Sequence, residues 1–449
     1  MQKRWIILFV ALLSISFLGL FYSGHEGVFT DIDSNLNFAD IAWMITATIF
    51  VLMMTPGLSF FYGGMVRSKN VISTMLQSFI AMGVISVIWV VVGFSLAFGE
   101  DLGHFIGNPG TFFMFMHVGG ATDKLLAPTI PLALYALFQM KFAIITPSLI
   151  TGSFAERVRF SGYLVFMILF CIFVYCPLAH WTWHPDGFLR QMGVLDFAGG
   201  IVVHASSGVA ALAGAIFLGR RKESGQPANI PFVLLGAAML WLGWFGFNAG
   251  SSLAANSIAV KAFLNTNTAS ATAMMTWVVF DCLRGRKPSA MGAAIGAVVG
   301  LVAITPSAGY VTVGESIFIA LVVTIICNMA VSWKNKKNSF DDALDVFPTH
   351  GVGGIVGTIM TGIFVYNASE NITYWQNLLN HIIAVVIVCG YTFIVTYALY
   401  WITDKMIPMR VSEKSEKIGL DMSQHDERYG IETNRELAEY FDHGVDTKP

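Results

Sequence analysis

Charge is scarce in this sequence. Only 12% of its 449 residues are Asp, Glu, Lys or Arg, about half the roughly 25% found in soluble domains. Lys and Arg number 26 against 28 Asp and Glu, for a formal net charge of −2. That balance lacks the basic excess of a nucleic-acid binder. Cysteine is sparse too. Its five residues (Cys171, Cys176, Cys282, Cys327 and Cys389) lie in or beside apolar runs, with no CxxC pair. Neither a zinc site nor a disulfide framework is suggested, and small buried apolar packing is the favoured role. No HExxH motif is present, and Asp196, Asp281 and Asp345 would complete a metal site only if folding brought them together. No metal or other cofactor is expected.

What the chain does have is apolar length. Hydrophobic residues make up 55% and aromatics 13%, with 36 Phe. This composition indicates an all-α polytopic membrane protein. Eleven apolar runs are long enough, or nearly so, to cross a bilayer: 41–65, 71–98, 127–153, 160–183, 197–219, 230–253, 257–280, 289–304, 315–333, 350–366 and 377–402. The eighth rests on the small-residue repeat of Gly292, Gly296 and Gly300, which lets a neighbouring helix approach.

The basic residues Arg67, Lys69, Arg157, Arg159, Arg220, Arg221, Lys222, Arg284, Arg286, Lys287, Lys334, Lys336, Lys337, Lys405 and Arg410 fall in one set of alternate loops. The opposite set holds Lys124, Arg190 and Lys261. The positive-inside rule then gives an N-out, C-in topology, which an odd number of spans also requires. Residues 1–24 read as a signal peptide, with a twelfth span as the alternative. Residues 38–406 form the membrane domain. The tail, 407–449, is polar and too short for a kinase or cyclase, so it reads as a regulatory or docking element, or as a solvated disordered tail.

His204, in GGIVVHASSG, and His350, in FPTHGVGGIV, are the histidines set well within glycine-rich spans. They fall in the fifth and tenth spans. These are the equivalent fifth positions of two five-span halves, followed by a final helix. An odd number of spans per half makes the halves inverted, the plan of many transporters, with the functional site at their interface. An ionisable residue inside the membrane is a functional hypothesis by default. Asp196 precedes FAGGIVVH and is placed to cap the fifth helix. Lys141, in FQMKFAIIT, sits inside the third span, where it snorkels or finds a partner. Trp183 occupies an interfacial belt position, and Trp244 and Phe247 in WLGWFGFNAGSS are suited to holding a small cation by cation–π attraction.

Five segments, FFYGGMVRSKN (60–70), FAIITPSLITGSFAERVRF (142–160), DFAGGIVVH (196–204), WFGFNAGS (244–251) and DVFPTHGVGGIVG (345–357), resemble the ammonium transporter family, Amt/Mep/Rh. The tail IGLDMSQHDERYG (418–430) is similar to that of bacterial Amt proteins, and Trp183 fits the Amt branch. The resemblance implies a homotrimer in the cell (inner or plasma) membrane, with one pore through each subunit. It places the external ammonium site at Phe142, Trp183 and Ser251, supported by Asp196. It makes Phe138 and Phe247 the rings gating the pore, and His204 and His350 the pore-lining pair and proton relay. Trp181 is the neighbouring candidate for the tryptophan of the external site. A PII-type regulatory protein at the cytoplasmic face is the implied partner of the tail.

Physics suits these residues to that task. Moving a strongly hydrated cation into an apolar passage costs several kcal/mol or more. Aromatic faces return roughly 0.5–2 kcal/mol each. Neutral ammonia crosses far more easily, so ammonium is expected to lose its proton between recruitment and passage. The alternatives are an ammonium sensor with little flux and a membrane-embedded metal enzyme.

Overall fold

The computed structural model describes residues 2–22, 33–337, 339–365 and 372–430. Its helices follow the apolar runs closely. They are α1 (Gln2–Tyr22), α2 (Phe38–Met65), α3 (Ser68–Phe98), α4 (Leu132–Phe154), α5 (160–183), α6 (Gly200–Leu218), α7 (Ile230–Ser252), α8 (Ser257–Leu283), α9 (Ala290–Ile304), α10 (Val313–Lys337), α11 (347–364), α12 (Tyr374–Met406) and the short α13 (Glu413–Ile418).

Local chemistry starts the helices where polar residues meet the runs. Asn37 accepts from the amides of Ala39 and Asp40, Asn229 from Phe232, Asn256 from Ile258 and Ala259, and Ser289 from Gly292. Each satisfies amides that a helix start leaves unpaired. Thr373 and Gln376 form a capping box at α12. Pro131 stands just before α4, which begins a few residues later than the apolar run suggests.

Among the described residues, eight helices are long and apolar enough to cross a membrane by length and composition: α2 to α7, α10 and α12. The three remaining members of the expected eleven are present as helices that miss those measures. α9 has only 15 residues. α11 changes helical register at Phe347–Gly351 before its α-helical run of 13 residues. α8 is long but carries Asn265, Thr266, Asn267, Thr268 and Ser270. Its polarity is partly spent internally, since the Asn265 amide donates to the carbonyls of Ala308 (2.9 Å) and Val311 (2.8 Å).

The helices α2 to α6 and α7 to α11 share several pairings. The first helix of each set of five, α2 and α7, make the most extensive pairing, and the fifth helices, α6 and α11, pack on each other. Within each set the first, second and third helices meet. Two glycines set how closely α6 and α11 approach. A β-carbon on Gly208 would overlap the backbone of Gly351, and one on Gly354 would strike the backbone of Gly200 and Ala205.

The basic loops gather at one end of the bundle. Arg67 pairs with Glu156 (3.1 Å), Arg221 with Glu156 (3.2 Å) and Arg221 with Asp341 (2.8 Å). Four connections are thereby tied together: those between α2 and α3, α4 and α5, α6 and α7, and α10 and α11. Burial alone would raise the Asp341 carboxyl, but the hydrogen bond from Arg221 and the charges of Arg157 and Arg221 hold it down at about 2.

The tail, as far as residue 430, lies across this same end. Arg410 donates to the Leu218 carbonyl (2.6 Å) and to Glu416 (2.9 Å). Asp421 accepts from the amides of Ile72 (3.0 Å) and Ser73 (2.7 Å) at the start of α3. The Asn229 amide donates to the Tyr429 hydroxyl (2.7 Å). The expected signal-peptide boundary near residue 24 and the tail beyond residue 430 lie outside the described residues.

Candidate functional site

His204 and His350 meet in the middle of the bundle. Their Nδ1 atoms are 3.3 Å apart and their ring centroids 5.4 Å, with planes 29° from parallel. Both are buried. Each sits in a π-helical turn, His204 in Gly200–Ala205 and His350 in Phe347–Gly351. A π turn inserts one residue and re-aims the side chains around it, and such turns gather at functional sites. The amide of His204 reaches the carbonyl of Gly199 at 3.0 Å, the five-residue step of that turn.

Above the pair stands a column of rings. The Trp244 indole stacks on His204, with centroids 5.2 Å apart and planes 18° from parallel. Its Nε1 donates to Thr305 Oγ1 (2.9 Å), which fixes the ring. Phe247 lies 5.9 Å from His204. Phe142 stacks on Phe247 at 4.2 Å, and Trp183 meets Phe142 edge-on at 5.8 Å. Met54, Leu58, Phe61, Ile145, Leu149 and Leu240 complete an apolar wall around His204 and His350. The enclosed void is about 10 Å³, roughly the room one water-sized molecule needs. A second void lies on the far side of His350, bounded by Tyr62, Met65, Ile295, Leu344 and Thr349. Phe61, Val298 and His350 border both, so the voids follow one another from the rings toward the basic end.

Among the described residues, His204 Nε2 has no hydrogen-bond partner although it is buried. His204 itself lines the void. A neutral imidazole has one donor and one acceptor nitrogen, and with the Nδ1 atoms facing each other the Nε2 positions are left to serve a small polar molecule.

Ser251, one turn beyond Phe247, donates its hydroxyl proton to the Phe247 carbonyl (2.8 Å). Its lone pairs remain to accept from a donor, which suits a cation bearing N–H groups. Asp196 does not reach outward. Its carboxylate accepts from the amides of Gly199 (2.8 Å), Gly200 (2.6 Å), Ile201 (2.8 Å) and Val202 (3.3 Å). Its backbone carbonyl accepts from Trp183 Nε1 (3.0 Å). Asp196 therefore holds both the start of α6 and the indole beside Phe142.

The structure also separates candidates that lie close in sequence. Trp183 is the tryptophan at Phe142. Trp181 is buried elsewhere, donating to the Phe105 carbonyl (2.7 Å) and packing on Phe188 and Tyr391. The resemblance makes Phe138 and Phe247 the gating rings; the ring stacked on Phe247 is Phe142. Phe138 stands one turn earlier in α4, edge-on to Phe142 at 5.0 Å and in the space beside Gly250.

His180 and His184 are one helical turn apart and stack at 4.4 Å, a spacing that also suits metal ligands. Both nitrogens of His180 are engaged, with the Ala97 carbonyl (3.0 Å) and Asp101 (2.9 Å). No cluster of three or more metal-ligating side chains occurs among the described residues.

A family model described as the Ammonium Transporter Family matches residues 42–429. The chain belongs to the ammonium transporter family. An ammonium transporter of Bacillus subtilis is 42% identical over 402 residues, covering 88% of this chain and 98% of the relative. One of Aquifex aeolicus is 41% identical over 422 residues, covering 92% and 99%. The crystal structure of Candida albicans Mep2 superposes with a TM-score of 0.81 at 34% identity, covering 94% of both chains. A structure titled Sensor Amt Protein gives 0.80 at 30%, covering 86% of this chain and 98% of the other. This family member is thus a multi-pass membrane protein. Trp244, which the sequence groups with Phe247 as rings suited to holding a small cation, also stacks on His204. Thr305, which holds the indole, carried no signal.

Proposed function

We propose that this protein transports ammonium into the cell, recruiting the cation at an external aromatic site and conducting it as ammonia past His204 and His350. The observation that carries the reading is the unbroken order Trp183, Phe142, Phe247, Trp244, His204, His350, followed by a second void. It is supported by ammonium transporters among the relatives at 41–42% identity.

The cation meets the ring faces of Trp183 and Phe142 and the free lone pairs of Ser251. These replace part of its hydration at roughly 0.5–2 kcal/mol per cation–π contact. The stacked Phe142 and Phe247 leave no room for a hydrated ion, and beyond them the wall is apolar. Holding a charge there costs several kcal/mol, so the proton is given up to water before the rings part and crosses separately along the His204–His350 relay, which moves one charge inward with each ammonia. Ammonia then finds hydrogen-bond partners at the outer nitrogens of the imidazole pair. Potassium and sodium have no proton to lose and are excluded by the same wall.

The topology fitting this direction is eleven spans, N-out and C-in. The halves α2 to α6 and α7 to α11 are inverted, and α12 is added. The basic end and the docked tail then face the cytoplasm. The assembly is a homotrimer in the cell membrane, and the tail is the docking element for a PII-type regulator.

The test is current on a solid-supported membrane carrying proteoliposomes. Ammonium is expected to give a transient current and potassium none. If purified, folded protein binds ammonium yet gives neither current nor flux, the reading falls to its rival. That rival is an ammonium sensor, favoured by the resemblance to the sensor Amt structure.

A further inference from the structure

The two helices that carry the histidines begin in the same way. In α6, Asp196 caps the helix start, Gly199 takes the left-handed conformation (φ 115°), and a π turn bearing His204 follows. In α11, Asp342 stands at the same spacing before His350, Asp345 takes the left-handed conformation (φ 59°), and the π turn Phe347–Gly351 follows. Asp342 Oδ2 accepts from the Phe347 amide (2.7 Å), at the start of that turn.

The halves differ at the left-handed residue, Gly199 in one and Asp345 in the other. Glycine adopts a positive φ freely, whereas an aspartate does so only where its surroundings hold it. The surroundings here are Lys334, in the last turn of α10. It is buried, with Nζ 2.6 Å from Asp345 Oδ1 and 2.6 Å from the Asp342 carbonyl. From Asp345 the connection runs straight to the site. Its carbonyl accepts from both the amide (3.0 Å) and the hydroxyl (2.6 Å) of Thr349. Thr349 precedes His350 and lines the second void with it.

We propose that Lys334 and Asp345 are positioning residues, an ion pair that locks the left-handed start of α11 and so fixes the register in which His350 faces His204. The inference rests on the transport reading for its functional consequence. The pair touches neither void and lies at the opposite end of the passage from Trp183. Its loss should lower the maximal rate while leaving recruitment unchanged.

The experiment compares Lys334→Met, Lys334→Arg, Asp345→Gly and Asp345→Asn in proteoliposomes. Expected for Lys334→Met is a maximal ammonium current reduced about tenfold or more, because small misplacements of a working group are costly in rate, with the half-saturating ammonium concentration unchanged. Lys334→Arg should restore most of the current. Asp345→Gly tolerates the backbone but lacks the pair, so it should behave like Lys334→Met. Full current in Asp345→Gly or Lys334→Met would overturn the proposal. If Lys334→Met does not fold, Asp345→Asn, which keeps size and tolerates positive φ, decides in the same way.

If the wild-type protein carries neither ammonium current nor flux, it is the transport reading that fails. The ion pair is then judged by the structure of Lys334→Met. His350 displaced from His204 supports it, and an unmoved pair overturns it.

Discussion

Gly208 of α6 lies against the backbone of Gly351 in α11, so closely that a single β-carbon would overlap it. His350 precedes Gly351, so this contact sets how near the two imidazoles come. Gly208→Ala should push the helices apart. Overpacking a tight core of this kind costs about 1–3 kcal/mol. A lowered melting temperature in detergent together with a reduced ammonium current is the expected pair of results. Unchanged melting would show that α11 slides aside at no cost.

Trp183 and Trp181 should separate by phenotype. Trp183 meets Phe142 edge-on and is partly exposed, so Trp183→Leu removes a cation face while keeping most of the apolar area. The half-saturating ammonium concentration should rise about 2- to 30-fold, the range that roughly 0.5–2 kcal/mol provides. Trp181 is buried and donates to the Phe105 carbonyl, so Trp181→Leu should lower stability and leave that concentration alone. The reverse pattern, read from current against concentration, would move the recruitment site.

The contrast shows what the sequence made legible. His204 and His350 stood out because histidine is rare inside apolar runs and because both fall at the same place in two sets of five helices. Helix positions were legible for the same reason, since long apolar runs have few alternatives to spanning. Side-chain facing was less so. Phe138 and Phe142 are one turn apart on α4, and only the position of α7 decides which of them stacks on Phe247. The π turns left no trace, because an extra residue barely alters an apolar pattern. Lys334 looked like one more basic residue of a positive-inside loop, and its reach to Asp345 depends on how the chain folds back from α10.

Replacing His350 by Leu keeps a side chain of similar size, so the protein should fold. The substitution leaves His204 Nδ1 without its 3.3 Å partner. An unpaired buried polar group costs about 1–3 kcal/mol, a loss a protein of this size tolerates. Ammonium current should fall sharply, or its selectivity against potassium should change. Wild-type currents and selectivity in well-folded His350→Leu would return this histidine to a packing role.

The docked tail should respond to pH through two groups of opposite sign. Burial pushes the Asp421 carboxyl up to about 6, against a usual value of 3.8. A raised carboxyl binds its proton more readily when docked, so its contribution to docking grows as pH falls through about 6 and is lost above it. His425, whose Nε2 is 3.2 Å from the Ser73 hydroxyl, is pushed down from 6.5 by burial. The undocked form then binds the proton more readily, so acidification below 6.5 favours release. Glu427 faces both groups and raises both. In the wild type the two effects oppose each other below about pH 6. In His425→Gln only Asp421 remains, and docking should tighten steadily from pH 7 to 5. In Asp421→Asn only His425 remains, and docking should loosen over the same range. Hydrogen exchange at the Ile72 and Ser73 amides, corrected for intrinsic rate, reports docking directly because Asp421 accepts from both. Identical pH profiles for the two variants would show that neither group governs the tail.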